Sequence, residues 1–166
     1  LDLSEGQRLL DVGCGTGAFL KEAQKKFPNA RCMGIDASTD MLTEARKMAD
    51  SSIVFTEADA SALPFPNESV DFVLSILAFH HMPSGVKIRA IQEISRVLKK
   101  GGKFLIVDFG RAVTKWGAFN LFFLNWHSFT KGNMRLVEQE LARWGLQRER
   151  QEWHRGFVES LLARKR

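Results

Sequence analysis

The chain contains no tyrosine and only two cysteines among its 166 residues. Without tyrosine, the tyrosine–lysine proton relay of short-chain dehydrogenases cannot be built. Cys14 and Cys32 lack the spacing of metal ligands, so we expect free thiols, a reducing cytoplasm and no metal site. No apolar run is long enough to span a bilayer. Residues 1–5 have neither the basic flank nor the apolar core of a signal peptide.

Charge is distributed unevenly along the chain. Residues 1–110 carry 13 Lys and Arg against 14 Asp and Glu, whereas residues 111–166 carry 11 against 5. The basic C-terminal third fits either a solvated helix with a basic tail or contact with nucleic acid or anionic lipid. We do not expect nucleic acid, because basic and aromatic residues are not interleaved as in RNA-binding sheets. The length and the 45% hydrophobic content predict a single domain, 1–166.

Residues 9–17 read LLDVGCGTG, an apolar strand followed by an acid and three glycines at alternate positions. This pattern predicts a tight turn between a strand and the helix Ala18–Lys26. Gly13 and Gly15 would admit a ligand, and Gly17 would allow close helix–strand packing. Asp11 would repel a pyrophosphate but hold an ammonium group. The turn therefore favours a nucleoside attached to an amino acid.

Two further acids follow predicted strands. Asp36 ends the strand Arg31–Asp36, where a carboxylate can accept hydrogen bonds from both ribose hydroxyls. Asp59 ends the run 52–60 and could accept a hydrogen bond from an adenine amino group. The next run, Val70–Ile76, is almost continuously apolar, as expected of a strand buried on both faces.

These landmarks together resemble the class I S-adenosylmethionine-dependent methyltransferases. Within that class the sequence is most similar to the small-molecule branch that includes ubiquinone and menaquinone biosynthesis methyltransferases. The resemblance covers about residues 9–108 and rests on the runs LDVGCGTG, GID, DASALPF, VDFV and LKKGGKFL. It implies S-adenosyl-L-methionine as the cofactor and a three-layer Rossmann-like α/β sandwich. The mostly parallel sheet would have seven strands in the order 3-2-1-4-5-7-6, with strand 7 antiparallel.

The predicted elements complete this α/β pattern. Ser38 is a plausible N-cap for the helix 38–49, whose inner face would carry Met41, Leu42, Ala45 and Met48. Gly101 and Gly102 would end a long helix after residue 100. The other predicted helices are 84–100 and 133–144, and the remaining strands are 9–12, 103–109, 146–153 and 157–163.

The predicted cofactor site combines the three acids with the turn and its apolar surroundings. Ala37 and Met41 would contact the adenine faces, although Met41 is equally suited to helix packing. Ser75 lies at the end of strand 4, at the sheet edge where ligands bind in such folds. The candidate cofactor-binding residues are Asp11, Gly13, Cys14, Gly15, Asp36, Ala37, Met41, Asp59, Ala60 and Ser75.

His80 and His81 form the one adjacent titratable pair near this edge. An imidazole there could take a proton from a hydroxyl or amine acceptor, because its pKa suits neutral pH. We name His80 as the candidate catalytic residue. The alternative is that one histidine caps a helix and the other packs beneath the adenine.

The segment 116–129 holds six aromatic residues within fourteen. In the resembling family this position carries a substrate-covering element, so 111–132 is predicted to cover a hydrophobic acceptor such as a quinone or a lipid. A membrane-surface contact, a dimer interface and plain core filling remain open. Members of the family usually have a segment before the first strand that helps to close the site, and this sequence shows almost none.

Two other functions compete with methyl transfer. A dinucleotide-dependent oxidoreductase is disfavoured by Asp11 beside the glycines and by the glycine spacing. A catalytically silent binding module or partner subunit would keep the same cofactor residues. The sequence leaves this alternative open, together with the oligomeric state and the atom that would be methylated.

Overall fold

A computed structural model describes residues 3–110, 133–154 and 157–166. Its described strands form one seven-stranded sheet in the order β3-β2-β1-β4-β5-β7-β6. Strands β1 to β5 pair in parallel, and β7 runs antiparallel to both β5 and β6. The predicted strand order and the direction of strand 7 are confirmed.

The strands alternate with helices up to β5. The strands are β1 Arg8–Val12, β2 Arg31–Asp36, β3 Val54–Glu57, β4 Val70–Ile76, β5 Leu98–Phe109, β6 Leu146–His154 and β7 Val158–Lys165. The helices are α1 Ala18–Lys26, α2 Thr39–Met48, α3 Ser84–Val97 and α4 Asn133–Arg143, with a short 3₁₀ helix at Phe79–His81. No described helix has the length and apolar character needed to cross a membrane.

Alternate side chains of the parallel strands pack into two separate hydrophobic cores, one on each face of the sheet. In β1, Leu9 packs into the core that holds the buried residues of α1 and α2, whereas Leu10 packs into the core that holds those of α3 and α4. The strands are thus buried on both faces, as their apolar runs predict. Strand order reverses between β1 and β4, because β2 and β3 lie on one side of β1 and β4 lies on the other. That reversal opens a crevice at the carboxyl edge of the sheet.

The predicted end of helix 84–100 is wrong by one turn. Helix α3 ends at Val97, and Leu98 is already extended, with φ −65° and ψ 135°. Leu98 pairs with Val70 of β4, and the register then shifts before Phe72 pairs with Lys103. The apolar period continued to Leu98 because this residue is fully buried in the same core, but in a strand conformation.

Helix α2 also differs from its prediction. The hydroxyl of Ser38 accepts a hydrogen bond from the Met41 amide, which confirms the predicted N-cap. Leu42 and Ala45 are buried, but Met41 and Met48 are exposed by 46% and 59%. Met41 directly precedes Leu42 and Met48 follows Ala45 by three residues, and both lie outside the buried face of the helix.

The predicted strand 103–109 begins five residues earlier, at Leu98, and the other boundaries moved by three residues at most. The predicted strand 52–60 is trimmed to β3, and the predicted helix 133–144 ends one residue earlier. The predicted hairpin strands 146–153 and 157–163 became β6 and β7. The predicted covering element 111–132 and the aromatic segment 116–129 lie outside the described residues.

Gly17 lies where the turn packs closely against Phe55 and Ala45. Its φ is +70°, and an added Cβ would lie 2.8 Å from the Phe55 ring and 3.3 Å from the Ala45 Cβ. Gly6 has a similar φ of +75° but open space around it. We expect Gly6→Ala to destabilise by about 1–2 kcal/mol through backbone strain alone. Gly17→Ala should lower the free energy of unfolding by about 1–3 kcal/mol more than Gly6→Ala does, because its added methyl group overpacks the core.

Urea unfolding of both variants measures this difference. Equal losses in the two variants would show that Phe55 and Ala45 do not restrict the position of Gly17.

Candidate cofactor crevice

A crevice of about 740 Å³ lies at the carboxyl edge of β1, β2 and β4. This volume falls within the range of small-molecule sites. Nine of the ten predicted cofactor residues line it, and Ser75 does not. The nine are Asp11, Gly13, Cys14, Gly15, Asp36, Ala37, Met41, Asp59 and Ala60.

The glycine turn uses its own amide groups inside the protein. The amides of Gly13 and Cys14 both donate to the Ile35 carbonyl at 2.9 Å, which ties the turn to β2. The Gly15 amide donates to the Asp36 carboxylate at 2.8 Å, and the Gly17 amide donates to the Cys14 carbonyl. A phosphate group is normally bound by such amides when they are free. The amides of Gly13, Cys14 and Gly15 are therefore already engaged and do not offer a phosphate site.

Gly13 is required for a reason that differs from the sequence-based prediction. Its φ is +76°, and an added Cβ would lie 2.5 Å from the Ala78 Cβ. The position is therefore occupied by the loop after β4 rather than by space for a ligand. Gly15, with φ +53°, has open space where a Cβ would stand, so it fits the predicted close approach of a ligand.

Asp11 is the most perturbed group of the crevice. Its side chain is buried, and its Oδ1 atom has no hydrogen-bond partner. Burial, with a smaller contribution from the charge of Asp36, raises the pKa of Asp11 to about 8. An unpartnered carboxylate oxygen of this kind is stabilised by a cation that enters the crevice. The ammonium group of an amino-acid moiety fits that requirement.

Asp36 is held in place by the backbone on both sides. Its Oδ2 accepts the Gly15 amide, and its Oδ1 accepts the Ser38 amide at 2.9 Å. Each carboxylate oxygen has two lone pairs, so both oxygens can accept a further hydrogen bond. Asp36 is thus a fixed acceptor at the tip of β2, as a ribose site needs.

Asp59 lies on the exposed side of the crevice. Its Oδ1 accepts the Ser61 amide at 2.7 Å, and this hydrogen bond holds the pKa of Asp59 below its usual range. The group is therefore ionised at neutral pH and can accept from an amino group. Met41 lines the same side with 46% of its surface exposed, so the crevice interpretation of this residue is favoured over helix packing.

Cys14 contributes apolar surface to the crevice. Burial, followed by the charges of Asp11 and Asp36, raises the pKa of its thiol well above the usual range. The thiol therefore stays protonated at neutral pH and is a poor nucleophile.

Ser75 has a different place from the one predicted. Its side chain is fully buried, and its hydroxyl donates to the Val12 carbonyl at 2.7 Å. It joins the end of β4 to the end of β1 beneath the crevice. Its contribution is to position the strand that carries Asp11.

His80 is held by a buried carboxylate next to the crevice. Its Nδ1 lies 2.8 Å from Oδ1 of Asp108, whose Oδ2 also accepts the His80 amide at 3.0 Å. The centroid of the imidazole ring lies 4.7 Å from that of Phe109, in an edge-on contact, and 3.9 Å from that of His81. His81 lines the crevice and His80 does not.

Lys87 adds a second charge to this region. Its side chain is buried near the N-terminus of α3, and burial lowers its pKa while the charge of Asp108 opposes that shift. Asp108 therefore interacts electrostatically with both His80 and Lys87.

The sequence analysis did not identify Asp108 or Leu77 as site residues. Asp108 is an acid near the end of a strand, the same signal that identified Asp11 and Asp36, and it could have been found in that way. Leu77 lines the crevice as an exposed apolar residue. No sequence pattern distinguishes it from the buried apolar residues of β4.

Asp11 gives the stability of the protein a defined pH dependence. Between its unfolded pKa of 3.8 and its folded pKa of about 8, the folded protein keeps a proton that the unfolded chain releases. The stability of the ligand-free protein therefore falls as the pH rises through this window. Asp11→Asn cannot titrate, so we expect it to lack this fall and to be more stable than the wild type at pH 8.

Urea unfolding across pH 4–8 measures the effect. Asp40→Asn, on the exposed first turn of α2, is the matched control and should keep the wild-type slope. A wild-type slope in Asp11→Asn would contradict the raised pKa.

Comparison with known proteins agrees with this geometry. A family model described as "Methyltransferase domain" matches residues 9–102. The malonyl-[acyl-carrier protein] O-methyltransferase of Methylococcus capsulatus is 34% identical over 145 residues, which are 83% of this chain and 51% of that protein. The demethylmenaquinone methyltransferase of Thermus thermophilus is 35% identical over 106 residues, 62% of this chain and 47% of that protein. The chain thus spans about half the length of these relatives.

Solved structures share the fold. The S-adenosylmethionine-dependent methyltransferase of Mesorhizobium loti superposes with a TM-score of 0.78 at 22% sequence identity, over 99% of this chain and 94% of that chain. The family model covers more than half of the 166 residues, including those that build the crevice. The chain therefore belongs to the S-adenosylmethionine-dependent methyltransferases.

Proposed function

We propose that this chain transfers a methyl group from S-adenosyl-L-methionine to a small, hydrophobic acceptor of quinone-like or lipid-like character. The observation that carries the proposal is the buried Asp11 Oδ1 without a partner, in a crevice that also contains Asp36. Two acidic side chains that face the crevice favour a cationic ligand over a phosphate. We also propose that residues 1–166 form one domain, since β1 to β7 share one sheet.

Each crevice residue is assigned to a different part of the cofactor. Asp11 would bind the ammonium group, Asp36 the ribose hydroxyls and Asp59 the adenine amino group. Met41 and Ala37 would contact the adenine faces. The bound cofactor supplies an electrophilic methyl group on its sulfonium. The protein then needs to hold the acceptor in line and exclude water, and such orientation can supply much of the acceleration.

The acceptor side supports an apolar substrate. Beyond the acids, the crevice is lined by Phe19, Leu77, Met82 and Val86. The M. capsulatus relative acts on malonyl-[acyl-carrier protein] and the T. thermophilus relative on demethylmenaquinone, as their names state. The predicted covering element 111–132 follows β5 and would extend this apolar surface.

His80 is proposed as the base when the acceptor is a neutral hydroxyl. Asp108 accepts a hydrogen bond from Nδ1, so the imidazole carries its proton there and leaves Nε2 free to accept another. The acceptor O–H bond would break as its proton moves to Nε2, and solvent would then remove that proton. A carboxylate acceptor is already ionised at neutral pH and would need no base.

Two experiments separate this function from its alternatives. Calorimetric titration with S-adenosylmethionine, S-adenosylhomocysteine and NADH tests the cofactor class. Transfer of a radiolabelled methyl group to quinone precursors, lipids and RNA tests turnover. Cofactor binding without transfer to any acceptor would favour the catalytically silent binding module.

The ribose assignment predicts the effect of Asp36→Ala. Loss of a charged hydrogen-bond partner should weaken S-adenosylmethionine binding by about 1–3 kcal/mol, measured by calorimetry. Glu57→Ala is the control, because Glu57 ends the adjacent β3 but bonds Thr39 and does not line the crevice. Wild-type affinity in a folded Asp36→Ala variant would contradict the assignment.

The base assignment predicts a pH-dependent loss. With a neutral hydroxyl acceptor, His80→Ala should lower kcat by about 10²–10⁴-fold and remove the acidic limb of the pH–rate profile. Asp108→Asn, which keeps the shape of the side chain but removes its charge, should also lower kcat with this acceptor. With a carboxylate acceptor neither variant should change kcat by that factor. A normal rate of His80→Ala over the full pH range would exclude the base.

A further inference from the structure

We infer that Leu77 contacts the methyl acceptor and sets the preference of the crevice for an apolar one, an inference that rests on the proposed function. Leu77 directly follows β4 and has φ +52°. The left-handed region is unfavourable for residues other than glycine, and more so for bulky ones. Strained backbone of this kind occurs preferentially where a site requires it.

The backbone of Leu77 is fixed by both of its neighbouring segments. Its amide donates to the Val107 carbonyl at 2.8 Å, which ties it to β5. The next residue, Ala78, occupies the place of the missing Gly13 side chain. The loop is thus held between β5 and the glycine turn, so the left-handed conformation is imposed by tertiary contacts.

The strained conformation leaves the Leu77 side chain in the crevice. Its surface is 44% exposed, and it is among the crevice residues. The preceding strand buries its apolar residues almost completely, with Leu74 and Val73 at 0% exposure. Burial of a leucine is favourable, so this residue forgoes burial as well as carrying strain. An apolar ligand that covers it would recover the lost burial.

The strand order places Leu77 where the acceptor must lie. It follows β4, which stands between β1 with Asp11 and β5 with Asp108. Asp11 marks the amino-acid end of the cofactor, and Asp108 holds His80. A nucleophile that reaches the methyl group and gives its proton to His80 must pass over the end of β4. Leu77 is the exposed apolar side chain at that point.

Three variants test the inference on the full chain loaded with S-adenosylhomocysteine. Leu77→Gly removes the side chain and accepts the positive φ, and Leu77→Asn tolerates the same φ with a polar side chain. Glu68→Gly is the matched control, since Glu68 has φ +51° and lies outside the crevice. The apolar probes are 1-naphthol and decanoate, titrated calorimetrically, and S-adenosylmethionine is titrated separately.

We expect Leu77→Gly and Leu77→Asn to bind the apolar probes about tenfold more weakly, with S-adenosylmethionine affinity within twofold of wild type. Leu77→Gly and Glu68→Gly should both melt at or above the wild-type temperature, and Glu68→Gly should keep wild-type probe affinity. In turnover assays the Leu77 variants should raise the acceptor KM more than they lower kcat.

Three outcomes overturn the inference. These are unchanged probe affinity in both Leu77 variants, an equal loss of S-adenosylmethionine affinity, or no binding of either probe by the wild type. Failure of the proposed function is distinguished by a different result, the absence of methyl transfer from the wild type to every acceptor tested.

Discussion

The arrangement of this protein depends on one carboxylate that the fold buries without a partner. Asp11 is almost completely buried at the end of a strand covered on both faces, and Asp36 adds a second negative charge nearby. Its raised pKa shows that the ligand-free fold is poorly suited to that charge. In the proposed function, an ammonium group that binds beside Asp11 would stabilise its ionised form.

The turn after β1 uses three of its amides to hold the neighbouring strand. Gly13, Cys14 and Gly15 give their N–H groups to Ile35 and Asp36, which locks β1 to β2. Ser75 locks β1 to β4 through the Val12 carbonyl. Neighbouring strands therefore fix the crevice from both sides.

The acceptor side is organised around the ends of β4 and β5. Asp108 fixes the orientation of His80, and the Val107 carbonyl fixes the backbone of Leu77. His80, which pairs with Asp108, and the exposed Leu77 thus lie within four residues of each other in the chain. This combination supports the proposal of a hydrophobic acceptor.

Local sequence signals determined the strands, the helices and the acids at the strand tips. Apolar runs, glycine spacing and the Ser38 cap each depend on only a few neighbouring residues, so they can be recognised in the sequence alone. Asp11, Asp36 and Asp59 were identified from such signals. The helical spacing of apolar residues placed the end of α3 too late, because Leu98 continues that spacing but is buried as part of a strand. Burial alone does not specify backbone conformation.

Tertiary structure decided what depends on distant partners. The contact of Gly13 with Ala78, the hydrogen bond from Ser75 to Val12 and the pairing of His80 with Asp108 join residues 28 to 65 positions apart in the chain. The left-handed backbone of Leu77 is likewise held by the hydrogen bond from its amide to Val107 of β5 and by the contact of Ala78 with Gly13. No local pattern encodes these contacts, since each depends on which strands the sheet places side by side.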